Sequence, residues 1–441
     1  MASSSNEYPK VLVVMTAPFN TGGSSRTLDS YFHFWDKNCV AQIYSRNCEP
    51  TKGHCSTFYQ ISDERLVKRW LGLKVAVGKT YIDEDLNESD TLVDEFAGSA
   101  SKLGYTIGAK HTPMVELLRG LLWRKRFWCT PDFIKWVDDF KPNCVLYNFS
   151  NHLFTQEIAL FVADRFGIPI IPVIGDDYYF NDRNSISPAY HLFRRKFKHL
   201  TERVMAHSVS AIYCSDKCMR KYGGHFELGG SPIYVSSSIA RRNFRPIRKT
   251  SPLFLYCGSV RLGRNLALVD IADALKTINP SYKLCVYSSE IDEDICAPLI
   301  AHPNIIFGGR IGYETVVEMT ADCDVFVIAE GFRDKDLLFT RYSLSTKAAD
   351  GLASGAAVLT YGPEDAGVVE YMADTKGSVV CSDKNALVAV ISDLLDDTQL
   401  QHELYENAGI ISKEHHSLLS STNTFKQVVN DAIRSYKKGN H

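Results

Sequence analysis

Residues 252–288 read PLFLYCGSVRLGRNLALVDIADALKTINPSYKLCVYS, and this stretch decides the fold. LFLYC, from Leu253 to Cys257, is apolar without alternation, so both of its faces should be buried, as in a parallel sheet. NLALVDIADALKTI spaces its apolar residues as a helix does. YKLCVYS then repeats the strand pattern. Strand, helix and strand of parallel type form the unit of a doubly wound α/β sheet. Downstream, NIIFGG, CDVFVIAE, AAVLTYG and GSVVCS continue the series, each after a helical segment. Upstream, VLVVMTAP from Val11, CVLYNF from Cys144, IPIIPVIG from Ile168 and SAIYCS from Ser210 form a second set, with the helical FTQEIALFVADRFG before Ile168. Between the sets lies IARRNFRPIRKTS, which is polar, basic and carries a proline. The reading is two Rossmann-like domains, 1–240 and 252–411, joined by a linker at 241–251. A helical tail, 412–441, is expected to pack back on the first domain. Open sheets of this kind bind ligands at the carboxyl ends of their strands, so a cleft between the two is the expected site.

The chain has 441 residues, 45% hydrophobic and 23% charged, which is the balance of an ordinary globular protein. Forty-nine Lys and Arg against 51 Asp and Glu give a net charge of -2 and no general excess to hold nucleic acid. The 12 cysteines sit mostly inside apolar runs, as at Cys144, Cys257, Cys285 and Cys381, and read as small buried hydrophobes. Cys214 and Cys218 lack the second pair that a zinc site needs, so no metal is expected. MASSSNEYPK does not resemble a secretory leader, and no run approaches the ~18 apolar residues of a membrane span. A cytoplasmic protein, at most resting on the inner face of a membrane, is expected.

The segment richest in chemistry is YSLSTKAADGLASGAAVLT, 342–360. Ser345 or Thr346 can cap a helix whose first turn carries Lys347. Exposed amides and a lysine at a helix start suit a diphosphate. Asp350, three residues on and on the same face, can accept from both hydroxyls of a ribose. Gly355 ends the helix. A surface Lys–Asp pair is the plainer alternative.

The pattern Ser-Thr-Lys-x-x-Asp-x-Leu-Ala-x-Gly-x-x-Val resembles the donor-site helix of GT-B glycosyltransferases of family 4 (group 1). There an acid five residues before the glycine binds the nucleotide ribose, and Asp350 stands at that place. Lys347 matches a lysine of one subgroup. LFLYCGSVRLGRN resembles the family's first strand of the second domain, where a glycine (Gly258 here) is followed six residues later by a cation for the donor diphosphate. Arg264 is that cation, with Ser259 and Arg261 as neighbouring candidates. NIIFGGRIGYETVVEMTADCDVFVIAE resembles the next block, which makes Gly309, Arg310 and Ile311 candidates to border the base. The family's Glu-x7-Glu pattern would place an acid at 342, where this chain has Tyr342. Glu330 is a candidate substitute, and a strand-end loop charge otherwise.

In the first domain, Gly22 and Gly23 match the family's glycine loop, which lets backbone approach sugar or acceptor. Asp176 and Asp177 follow a buried strand, either to hold acceptor or sugar or to cap the next segment. His152 also follows a strand end, although a lone histidine is more often structural. The basic, Leu- and Trp-bearing segments 114–128 and 191–200 are candidates for peripheral contact with an anionic membrane, or core-facing helices with solvated basic faces. The resemblance implies transfer of a sugar from a UDP- or GDP-type donor to a glycan or glycolipid, with retention and without metal or other cofactor, the nucleotide sugar being a substrate. A GT-B-type sugar-nucleotide epimerase and a degenerate nucleotide-sugar-binding scaffold are the alternatives.

Overall fold

A computed structural model describes residues 8–19, 26–87 and 112–439. The chain divides into two compact units. The first comprises residues 1–174, 178–232 and 422–441, and the second residues 175–177 and 233–421.

In the first unit, β1 (Val11–Val14) leads into α1 (Arg26–Phe32), β2 (Val40–Tyr44), β3 (Thr57–Ile61), α2 (Asp63–Trp70) and β4 (Gly78–Ile82). Three helices follow, α3 (Pro113–Leu122), α4 (Lys125–Trp128) and α5 (Pro131–Phe140). Next come β5 (Cys144–Asn148), α6 (Leu153–Phe166), β6 (Ile170–Ile174), α7 (Pro188–Ala206), β7 (Ser210–Tyr213) and β8 (Gly229–Pro232). The sheet order is β4-β3-β2-β1-β5-β6-β7-β8. All pairs are parallel except β3 with β4. GKTYI at β4 is half exposed and falls on the edge, where the apolar signal used to find strands is weak.

The second unit runs β9 (Leu253–Cys257), α8 (Arg264–Ile278), β10 (Lys283–Tyr287), α9 (Glu293–Ala301), β11 (Ile305–Gly309), α10 (Tyr313–Asp322), β12 (Val325–Ala329) and α11 (Asp334–Thr340). It continues with α12 (Lys347–Ser354), β13 (Ala357–Tyr361), α13 (Gly367–Thr375), β14 (Val379–Cys381), α14 (Leu387–Asp396) and α15 (Thr398–His415), and the last helix, α16 (Leu418–Gly439), belongs from residue 422 on to the first unit. Its six parallel strands are ordered β11-β10-β9-β12-β13-β14. In chain order that is 3-2-1-4-5-6, the doubly wound arrangement of nucleotide-binding sheets. The order reverses between β9 and β12, so their carboxyl ends mark this unit's binding crevice.

Two features bear on the site. The middle of α16 buries Phe425, Val428, Val429 and Ala432, one helical face, in the first unit, with Phe425 stacked 5.1 Å from Tyr31. Residues 241–251 belong to the second unit and are strapped along it by their arginines. Arg241 donates to the Leu352 carbonyl at 3.0 Å, and the Arg242 amide donates to the Ser354 carbonyl at 3.1 Å. The Arg242 guanidinium reaches the Cys323 carbonyl at 2.6 Å, and Arg248 bonds the buried Asp324 at 2.7 Å. Charge that reads as linker solvation serves here to satisfy the orphan carbonyls at the ends of α10 and α12.

Candidate functional site

The crevice of the second unit is built from the turns after β9 and β12. Glu330 is the residue directly after β12 and is 1% exposed. Arg264 opens α8 and forks onto it, with Nε 2.9 Å from Oε2 and Nη2 3.0 Å from Oε1. The pair therefore bridges the two strands between which the sheet order reverses. Glu330 is not a solvated loop charge, because it is buried and held by a bidentate bond from Arg264.

The loop joining β9 to α8 is tight. Gly263 has φ 73°, and Cβ atoms built on Gly263 and Gly331 would lie 3.1 and 2.8 Å from the other residue's Cα. The two turns touch back to back, and only glycine allows it. Asp336 steadies this corner through a bidentate bond from Arg333, 2.6 and 3.0 Å.

Lys347 enters from the start of α12. A Cβ on Gly258, whose φ is 145°, would lie 3.0 Å from its Nζ. The ammonium also stands 5.3 Å from the centre of the Tyr256 ring. Burial and, next, the charge of Arg264 push its pKa down to about 8, with Glu330 and Asp350 opposing. Two cations are thus held close together around one carboxylate. That arrangement favours a multiply charged anion that neutralises both.

Thr346 occupies the cap position of α12, but its φ of -58° and ψ of -20° are helical and its hydroxyl makes no capping bond. The expected Ser or Thr cap is therefore not formed. Asp350, one turn on, is 6% exposed and accepts from Ser237 Oγ at 2.7 Å. The structure so gathers Arg264, Glu330, Lys347 and Asp350 of the sequence candidates into one neighbourhood.

The others are placed elsewhere. Arg261 is tied to Glu290, with Nη2 2.7 Å from Oε1, which holds that carboxyl below its usual range despite the opposing effect of its burial. Ser259 is exposed, and its carbonyl accepts from Tyr256 Oη at 2.5 Å. Gly309 has φ 68° at the end of β11, beside exposed Arg310 and half-buried Ile311. Tyr342 is half-buried in the turn between α11 and α12. Asp176 is exposed and Asp177 half-buried just past β6. Gly22 and Gly23 lie outside the described residues.

His152 is buried directly before α6, with Nδ1 3.2 Å from Glu116 and 3.3 Å from Arg119. Both partners come from α3. Glu116 and Ser237 are supporting residues that sequence spacing could not reveal, since each acts on a partner 36 and 113 positions away. The run of three serines at 236–238 was the faint trace of the second. Among the described residues no group of three His, Cys, Asp or Glu is gathered as a metal site.

Solved structures share this architecture. HepE of Anabaena, crystallised with UDP, superposes with a TM-score of 0.58 at 12% identity, covering 96% of this chain and 100% of its own. The chain has the GT-B fold. Sucrose-phosphate synthase of Thermosynechococcus elongatus gives 0.58 at 11% identity over 97% and 100% of the two chains. A third GT-B structure, WaaG, a glycosyltransferase involved in lipopolysaccharide biosynthesis, gives 0.52 at 12% over 95% and 99%. No family model matches the sequence, and no curated protein matches it either. The GT-B likeness is therefore carried by the path of the chain and not by residue identity.

Proposed function

We propose that the protein is a glycosyltransferase taking its sugar from a nucleoside-diphosphate donor of UDP or GDP type. The observation that carries this reading is the pairing of Arg264 and Lys347 around Glu330 at the switch point of the second sheet. Arg264 and Lys347 would hold the diphosphate, and the first amides of α12 would add to the grip. Asp350, steadied by Ser237, would hold the ribose, and residues 309–311 would border the base. As the sugar–phosphate bond breaks, negative charge grows on the leaving diphosphate, and two fixed cations stabilise it without a metal. Glu330 would lend Arg264 a defined orientation. HepE, with the same fold, has been solved with UDP and with UDP-glucose, which supports a UDP-type donor. The acceptor would be a glycan or glycolipid, with His152, Asp176 and Asp177 as acceptor-side candidates and retention as the expected outcome.

The test is a thermal-shift panel of nucleoside diphosphates and their sugars, on the wild type and on Lys347→Ala. A ligand at a hundredfold excess over its dissociation constant stabilises the native state by about 2.7 kcal/mol. A shift with one nucleotide family, absent in Lys347→Ala, supports the donor site and names the base. No shift with any nucleotide overturns the reading. Release of free sugar or transfer product separates an enzyme from a nucleotide-sugar-binding scaffold, and recovery of an epimeric donor would mark an epimerase.

A further inference from the structure

The first unit carries an apolar stripe that faces solvent. On α3, Met114, Leu118 and Leu121 recur at i, i+4 and i+7 and are 59%, 57% and 46% exposed. The opposite side of the same helix is occupied inward by Glu116, which is buried with His152. The helix packs against α7, where Leu192 is 50% exposed. Large aliphatic side chains so grouped mark a contact surface more often than they mark chance exposure.

The charge around them is one-sided. Segment 114–128 has four cations against Glu116, and α7 has five against Glu202, within a chain of net charge -2. Some are committed, Arg119 to Asp63 and both Arg194 and Lys198 to Asp182. The run 124–126 and Arg195 and Lys196 remain exposed. Glu157, on α6, faces Lys196.

We propose that α3 and α7 form a docking surface for an anionic lipid bilayer. The leucines and Met114 would enter the boundary between headgroups and acyl chains, and the exposed cations would meet the headgroup charge. A nucleic acid would use the cations but leave the aliphatic stripe without a partner, so the observations favour lipid. The proposal concerns the first unit and stands apart from the donor site.

The experiment is co-sedimentation of the full chain with phosphatidylcholine vesicles, with and without phosphatidylglycerol, at 0.1 and 0.5 M salt. Binding to the anionic vesicles should exceed that to the neutral ones by about tenfold or more and should fall in high salt. Leu118→Ser with Leu121→Ser should lower it by about tenfold, and Arg195→Glu with Lys196→Glu by a similar factor, without moving the unfolding midpoint. The nucleotide-induced thermal shift, whatever its size, should be the same in both variants. Equal binding to neutral vesicles, binding untouched by the variants, or no binding overturns the proposal. So does a preference for an oligonucleotide that survives loss of the leucines.

Discussion

Both units bury a carboxylate bonded to a basic side chain beside the carboxyl end of their sheet, but they assemble the pair differently. In the second unit, Arg264 and Glu330 each stand one turn or less from a strand of the switch point, so the pair is set by the sheet. In the first, His152 stands at the start of α6, four residues past β5, but Glu116 and Arg119 are delivered by α3, a helix between β4 and β5. A cluster built from strand ends is fixed wherever the sheet forms. One that depends on a packed helix is fixed only while that helix stays docked.

The sharpest way to break the comparison is to remove one partner from each cluster. Arg264→Ala leaves Glu330 buried without its partner and should cost about 3 kcal/mol in denaturant unfolding, besides abolishing nucleotide binding. Replacing both residues by Leu and Met should restore much of the stability and none of the binding. If the single variant unfolds no more easily than wild type, the bridge is not structural.

Next in size is the first unit's cluster. Glu116→Ala should destabilise by about 2 kcal/mol, since it strips the buried His152 of its carboxylate partner. Nucleotide affinity should stay within about twofold of wild type, because sites without shared partners behave additively. A large loss of nucleotide affinity would show that the clusters are energetically linked.

Acidity distinguishes them as well. With its pKa near 8 in the free protein, Lys347 should take up a proton when a diphosphate binds, because the anion favours the charged amine. Nucleoside-diphosphate affinity should therefore be level below pH 7 and fall above pH 8, by at most tenfold per pH unit, as read by calorimetry. Folding stability should move the other way between about 8 and 10.4. There the unfolded lysine, with its ordinary pKa, binds more protons than the folded one, so stability rises with pH. Lys347→Met should flatten both profiles.

The smallest effect expected is at Ser237. Loss of its hydroxyl in Ser237→Ala should weaken nucleoside-diphosphate binding by about 1 kcal/mol and leave inorganic pyrophosphate binding unchanged. Equal weakening of both would place Asp350 away from the ribose.

The sequence was more informative about the second unit than the first for the same reason. Unbroken apolar runs such as LFLYC and DVFVI mark strands buried on both faces, and a doubly wound order puts strand-end residues together. Within that frame it is the resemblance to GT-B donor-site motifs that singles out Arg264, Lys347 and Asp350, with Glu330 as a strand-end acid. What escaped was support from distant segments. Edge strand β4 lacks an apolar pattern, and the α3 partners of His152 are brought in only by tertiary packing. The arginines at 241–248 looked like solvated linker charge because nothing local shows that helix carbonyls await them.

That strap makes the boundaries of the second unit a matter of engineering. Helix α12 is anchored at its far end by Arg241 and Arg242 and at Asp350 by Ser237, all upstream of the first strand of its own sheet. A graft or excision that begins at β9, as the strand pattern invites, would carry Lys347 without the segment that holds its helix. A transplantable version has to begin near Ile233, about twenty residues before the sheet does.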